Sequence, residues 1–185
     1  MTNRRNFLKT TGLATAALGL GLPQFSFGLT KAEPFKISLA EWSVNRLLFS
    51  KQLDHLDFAL EAKKHGISAV EYVNQFFMDK AQDMTYLKEM NTRCQNEGIT
   101  QVLIMVDREG MLGARSDADR MKAVDNHKKW IEAAKFLGCH TVRVNGYSDI
   151  AWSQNPADAA EASKLVSDGI RKLCEFAEPH GIRIV

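Results

Sequence analysis

Along residues 35–185, short runs of β-branched and apolar residues alternate with longer stretches whose apolar positions recur at helical intervals. The alternation predicts strands over Phe35–Val44, Ile67–Val73, Ile99–Asp107, His140–Asn145 and Ile182–Val185. The third is the plainest, with the unbroken run Val102-Leu103-Ile104-Met105-Val106. Helices are predicted over Leu53–His65, Asp83–Glu97, Asp117–Leu137 and Pro156–Glu178, with Trp130, Ile131, Ala134 and Leu137 sharing one face of the third. Gly66, Gly98, Gly138 and Gly181 each stand between a helix and the next strand, where a left-handed residue closes a helix. Nearly continuous apolar strands joined by helices mean a parallel sheet covered by those helices.

The connections are lopsided. Those leading from helix to strand are very short, whereas those from strand to helix are long: Asn45–Gln52, Asn74–Gln82, Arg108–Ser116 and Gly146–Asn155. Long mixed loops at the carboxyl ends of parallel strands mark the face where such folds bind ligands. Gly110-Met111-Leu112-Gly113 reads as a flexible part of one such loop rather than a phosphate cradle. Two architectures accommodate this unit. One is a (β/α)8 TIM barrel that stops after about strand five, since a barrel needs about 250 residues. The other is a five-stranded doubly wound open sheet, and the pattern alone leaves both open.

Composition changes the picture little: 45% hydrophobic and 25% charged residues are ordinary for a globular α/β domain. Charge is informative by its placement. The net charge is +2, yet three of the 24 basic residues, Arg4, Arg5 and Lys9, and none of the 22 acids fall within residues 1–28, so the remainder carries one acid in excess. Such a body gives no electrostatic reason to expect nucleic acid or an anionic membrane as partner. Cys94, Cys139 and Cys174 are odd in number and lack CxxC spacing, so they read as buried small hydrophobes. The basic head Asn3-Arg4-Arg5-Asn6-Phe7-Leu8-Lys9 precedes a weakly apolar run from Thr11 to Leu22 that is too short to span a bilayer. This layout resembles a twin-arginine export signal over residues 1–28, with Asn3 where Ser or Thr is usual. It implies a periplasmic or otherwise exported protein that meets the twin-arginine machinery, with no stable membrane anchor.

The stretches Ser38-Leu39-Ala40-Glu41-Trp42-Ser43, His65 to Tyr72, Lys135 to Gly146 and Ala177 to Val185 together resemble the xylose-isomerase-like TIM-barrel superfamily of sugar phosphate isomerases and epimerases. The resemblance implies residues 29–185 as the N-terminal portion of a barrel that isomerises or epimerises a sugar, sugar phosphate or polyol. It also implies one divalent metal, held by a glutamate ending strand five and by an aspartate, a histidine and a second glutamate from later strands. The metal would polarise a carbonyl or hydroxyl oxygen while the two glutamates move a proton. Strand five reaches Val185 before that first glutamate, so no metal ligand or catalytic residue is assigned within this chain, which is expected to be inactive by itself. A non-catalytic periplasmic carbohydrate-binding protein on the same fold is the alternative. A nuclease of the same superfamily would need a basic surface for phosphates, which this body lacks.

Candidate substrate-binding residues lie at the strand ends: Trp42, Glu71, Asp107 and Asn145. Trp42 can stack on a sugar or fill the core. Glu71 can serve a polar pocket or pair with a neighbouring strand; Arg143, on the same face as Asn145, needs an acid, and Glu71 is the candidate. Asp107 can bond hydroxyls or cap its loop. Among the histidines, His65 and His180 sit at helix ends, His55 and His127 within helices and His140 at a strand start, with no ligand-like spacing. Asp117 and Asp119 read as helix caps.

Overall fold

The computed structural model describes residues 35–150 and 155–185; the predicted signal over residues 1–28 lies outside them. The strands are β1 (Leu39–Ala40), β2 (Ala69–Val73), β3 (Thr100–Val106), β4 (Thr141–Val144) and β5 (Arg183–Ile184). The helices are α1 (Asn45–Phe49), α2 (Phe58–Lys64), α3 (Met84–Glu97), α4 (Asp117–Leu137) and α5 (Pro156–Ala177). The strands form one sheet in the order β1-β2-β3-β4-β5, and every neighbouring pair is parallel. A doubly wound sheet reverses its strand order at a switch point, and this one does not. With right-handed crossovers, an order that never reverses lays each helix on the same face. The sheet is therefore of the barrel kind, open along β1 and β5, and the doubly wound alternative falls.

Side-chain alternation shows the two faces. Val70 and Tyr72 of β2, Ile104 and Val106 of β3, and Val142 and Val144 of β4 are buried in one cluster with Trp130, Ile131, Ala134, Leu137 and Leu173 of the helices. Each fully buried aliphatic side chain there contributes about 1.5–3 kcal/mol. On the other face Glu71, Leu103 and Met105 are only partly covered and Arg143 is exposed. The predicted helix boundaries agree closely for α3, α4 and α5. The first predicted helix, Leu53–His65, instead opens on the 3-10 turn His55–Asp57 and is α-helical only from Phe58, and α1 falls in the predicted loop Asn45–Gln52. Gly66, Gly98, Gly138 and Gly181 all adopt positive φ. The first strand is shorter than predicted. Phe35 and Ile37 are exposed, and Glu41–Val44 winds into a 3-10 turn. The α4 cap is Ser116, whose hydroxyl accepts from Asp119 N–H at 3.2 Å, so Asp117 and Asp119 occupy the first turn instead. Cys94 and Cys139 are buried as expected, but Cys174 is exposed because it lies one residue past Leu173, off the face of α5 that packs.

Two anchors set the upper edge of the sheet. Glu41 is fully buried; its Oε2 accepts from Val73 N–H at 2.7 Å, joining β1 to β2. Its Oε1 lies 3.1 Å from His55 Nε2, close but not aligned as a hydrogen bond. The other anchor is the segment Gly110–Gly113, which is a packed wedge rather than a flexible loop. Leu112 is fully buried, Gly110 lies against Ala123, and Gly113 N–H donates to Tyr147 O at 2.8 Å. Arg120 holds the following turn, donating to Ala114 O at 2.8 Å and to Asp168 of α5 at 2.9 Å.

Two outcomes follow from these anchors. A Cβ on Gly169 of α5 would lie 1.9 Å from the Leu112 carbonyl oxygen, so backbone has to move. Gly169→Ala should destabilise the fold by about 1–3 kcal/mol, read as a lower urea midpoint at unchanged slope. Burial pushes the Glu41 carboxyl above its ordinary 4.5, against the opposing pull of His55 and the Val73 N–H. A carboxyl raised in the folded state favours folding below 4.5 and loses that contribution as pH climbs through the raised value. Unfolding midpoints measured from pH 4.5 upward should therefore fall in the parent relative to Glu41→Gln, which has no charge to bury. Parallel profiles for the two proteins would contradict this.

Candidate functional site

The carboxyl ends of β1 and β2 carry an aromatic wall. Trp42 sits in the turn after β1, Phe49 ends α1, and Phe76 ends the 3-10 turn Asn74–Phe76 after β2. Ring centroids are 6.1 Å apart for Trp42–Phe49, 6.2 Å for Trp42–Phe76 and 5.0 Å for Phe49–Phe76. Trp42 is 45% exposed, so it is not a core residue; Trp130 fills that role, with its Nε1–H on Glu109 at 2.6 Å. Phe49 and Phe76 were hidden in predicted loops, because periodicity does not mark a single helical turn.

Beside the wall runs a polar row across β2, β3 and β4. The buried Asn74 brackets the backbone of Asp107. Its Nδ2 donates to the Asp107 carbonyl and its Oδ1 accepts from the Asp107 N–H, both at 2.9 Å. The Asp107 carboxylate then accepts from Gln75 Nε2 at 2.8 Å and from Asn145 Nδ2 at 2.5 Å. Side chains on adjacent parallel strands meet in this way because the register Met105↔Arg143 and Val106↔Val144 continues into Asp107 and Asn145. Asp107 is thus neither a free acid nor a simple loop cap. Immediately after it Arg108 takes a left-handed conformation, φ 62°, and the buried Glu109 turns inward to Trp130 and Lys129. A non-glycine residue held there costs about 1 kcal/mol or more, and such strain gathers where a site is being shaped.

The structure brings Asp107 and Asn145 together and places Trp42 near them only through Phe76, the neighbour of Gln75. Glu71 stands apart. Its Oε1 accepts from the Ser38 hydroxyl at 2.5 Å, and it makes no ion pair with Arg143 among the described residues. The register explains the missing pair. Glu71 lies level with Leu103 and Thr141, two strands and one pleat repeat away from Arg143. His55 departs from expectation in the other direction. It stands in the 3-10 turn His55–Asp57 against Glu41, stacked on Phe77 at 4.6 Å and with Nδ1 2.7 Å from the Tyr86 hydroxyl. His127 is buried, and burial pushes its imidazole below the ordinary value, so it stays neutral against Ala123 O.

A divalent metal needs several carboxylate or imidazole donors converging on one point. Among the described residues no group of three or more His, Cys, Asp or Glu could hold one. Asp107 has both oxygens committed to amides, while Glu41 and His55 are buried against each other. These residues do not fit a metal.

Comparison with known proteins places this geometry. Residues 1–21 match the model of the twin-arginine translocation pathway signal sequence, so the chain is exported by that route. Among the described residues no helix is long and apolar enough to cross a membrane. No curated protein sequence matches the chain. Solved structures do. A D-psicose 3-epimerase determined in the presence of D-fructose superimposes with TM-score 0.62 at 15% identity, over 81% of this chain and 51% of that one. The IolI protein with a bound zinc atom gives 0.62 at 18%, over 82% and 50%. The probable 3-DHS dehydratase AsbF of Bacillus anthracis gives 0.56 at 16%, over 82% and 51%. At such identities the likeness is one of fold, and the chain spans about half the length of the structures it matches. Residues 59–185 match the model described as the xylose isomerase-like TIM barrel, and the chain belongs to that family.

Proposed function

We propose that the strand carboxyl ends form one side of a sugar-binding mouth, and that the protein isomerises or epimerises a sugar or polyol in the periplasm. The observation that carries this reading is the aromatic wall of Trp42, Phe49 and Phe76 set beside the row Gln75–Asp107–Asn145. A sugar offers an apolar C–H face and a rim of hydroxyls. An exposed indole suits the first, and paired amide and carboxylate groups suit the second. In this reading Trp42 stacks on the ring, Asp107 and Asn145 bond its hydroxyls, and Glu71 contributes the carboxylate oxygen that Ser38 leaves free. Family membership supports the reaction class, since the matched structures include an epimerase and a dehydratase. Metal-assisted proton transfer enters through the family and the zinc-bound match alone, and no step is assigned to a residue of this chain. A carbohydrate-binding role without catalysis is the second reading, favoured by the commitment of the mouth's polar groups to one another.

Titration with D-fructose tests the mouth. Trp42→Ala should weaken binding by about tenfold, the loss of one aromatic stacking contact of about 1.4 kcal/mol. Its unfolding midpoint should move little, because the ring is half exposed. Unchanged affinity would remove Trp42 from the site. Because this half barrel is expected to be inactive by itself, the two readings are separated in a protein that completes the barrel: solvent deuterium appearing in recovered ketose would support proton transfer, and its absence at intact binding would favour the binding-only reading.

A further inference from the structure

A groove runs between α3 and α4 on the outer surface of the helix layer. Ala81, Leu87 and Ala133 are buried in its floor, while Met84 and Phe136 stand at its sides, 53% and 39% exposed. Asn91 Nδ2 of α3 donates to Phe136 O at 3.1 Å, which fixes the two helices against each other. These helices follow β2 and β3, which lie inside the sheet, and α2 and α5 pack on their far sides. The exposure of the groove therefore does not come from the open edges β1 and β5. Its rim carries one acid and one base of α4, Glu132 and Lys135, both exposed. Asp125 and Lys128 have the same spacing earlier on that helix and pair at 2.6 Å. Glu132 and Lys135 do not pair, and among the described residues neither side chain makes a hydrogen bond or an ion pair.

An acid and a base on one face of a helix complement themselves. When a second copy is laid antiparallel across a two-fold axis, each residue faces the one that faces it in return. Glu132 of each copy then meets Lys135 of the other, and both charges are satisfied. The same rotation serves the apolar groups. Asn91 holds Phe136 level with its own turn of α3, and Met84 lies about two turns earlier, so Phe136 of each copy comes onto Met84 of the other. Acid and base together leave the rim without net charge, which gives an anionic membrane or a highly charged partner nothing to hold. We propose that this groove is the two-fold interface of a dimer of this chain, closed by Phe136 on Met84 and by Glu132 on Lys135. Eight residues line the groove. A standard interface uses about 20–30 a side, so this dimer is a reversible one, with a dissociation constant on the order of 10 μM. The proposal does not depend on the sugar reading.

Sedimentation of the whole chain over about 1–200 μM tests it, and a monomer–dimer equilibrium is expected. Met84→Glu puts a carboxylate into the groove, while its place in the first turn of α3 suits the helix dipole. It should weaken the dimer about tenfold or more, because the new charge is buried there without a partner. Glu132→Lys and Lys135→Glu each set like charges across the axis and should each weaken it by about threefold to tenfold. The double variant Glu132→Lys/Lys135→Glu restores the pairing and should return the parent's constant. Urea midpoints should stay near the parent's throughout, since every substituted side chain is exposed. A monomer over the whole range would overturn the proposal. So would association that all four variants leave unchanged, which would place it at the open edges of β1 and β5. Single reversals that weaken the dimer without rescue by the double variant would overturn the reciprocal pairing, and the two-fold axis with it.

Discussion

Each strand of this sheet pairs in parallel with the strand before it, and a right-handed crossover admits one side for the helix that joins them. Repeated from β1 to β5, that constraint decides most of the rest. The helices collect on one face and bury Val70, Tyr72, Ile104, Val106, Val142 and Val144 against Trp130 and Leu173. The other face is left to residues of a different character, among them Glu71, Arg143 and Arg183. All carboxyl ends come to one edge, where the long connections gather.

That edge is held by side chains that reach from one strand end to the backbone of the next. Glu41 after β1 takes the Val73 N–H, and Asn74 after β2 takes both the N–H and the carbonyl of Asp107. Asp107 in turn takes the Asn145 amide. Edge groups of parallel strands would otherwise need water or a loop. Here the Val73 N–H and both backbone groups of Asp107 are met by side chains from the end of the neighbouring strand, which ties these strand ends together before any ligand arrives. Anchoring of that kind is what a binding site asks of its surroundings. The wedge of Leu112 over Gly169 and the Arg120–Asp168 pair close the β3 loop onto α5 from behind. Lys172 and Arg120 beside Asp168 keep its carboxyl well below the usual range, so the pair stays charged in acid.

Much of this was legible along the chain. The helical spacing of Trp130, Ile131, Ala134 and Leu137 and the glycines at Gly98 and Gly138 depend on neighbours within a turn, and the structure keeps those limits. The apolar run at Val102–Val106 and the long loops after each strand determined a parallel sheet and the edge at which the long connections gather. Asp107 and Asn145 could be placed at that edge because each directly follows the apolar run of its strand. What only the tertiary structure decided are the partnerships across strands. Glu71 bonds Ser38 rather than Arg143, His55 meets Glu41, and Phe49 and Phe76 join Trp42. Local pattern is set by bonds between residues a few positions apart and is written in order along the chain. A partner more than thirty residues away, as Ser38 is to Glu71, depends on the register in which two strands dock, and a shift of one residue would send every side chain to the opposite face.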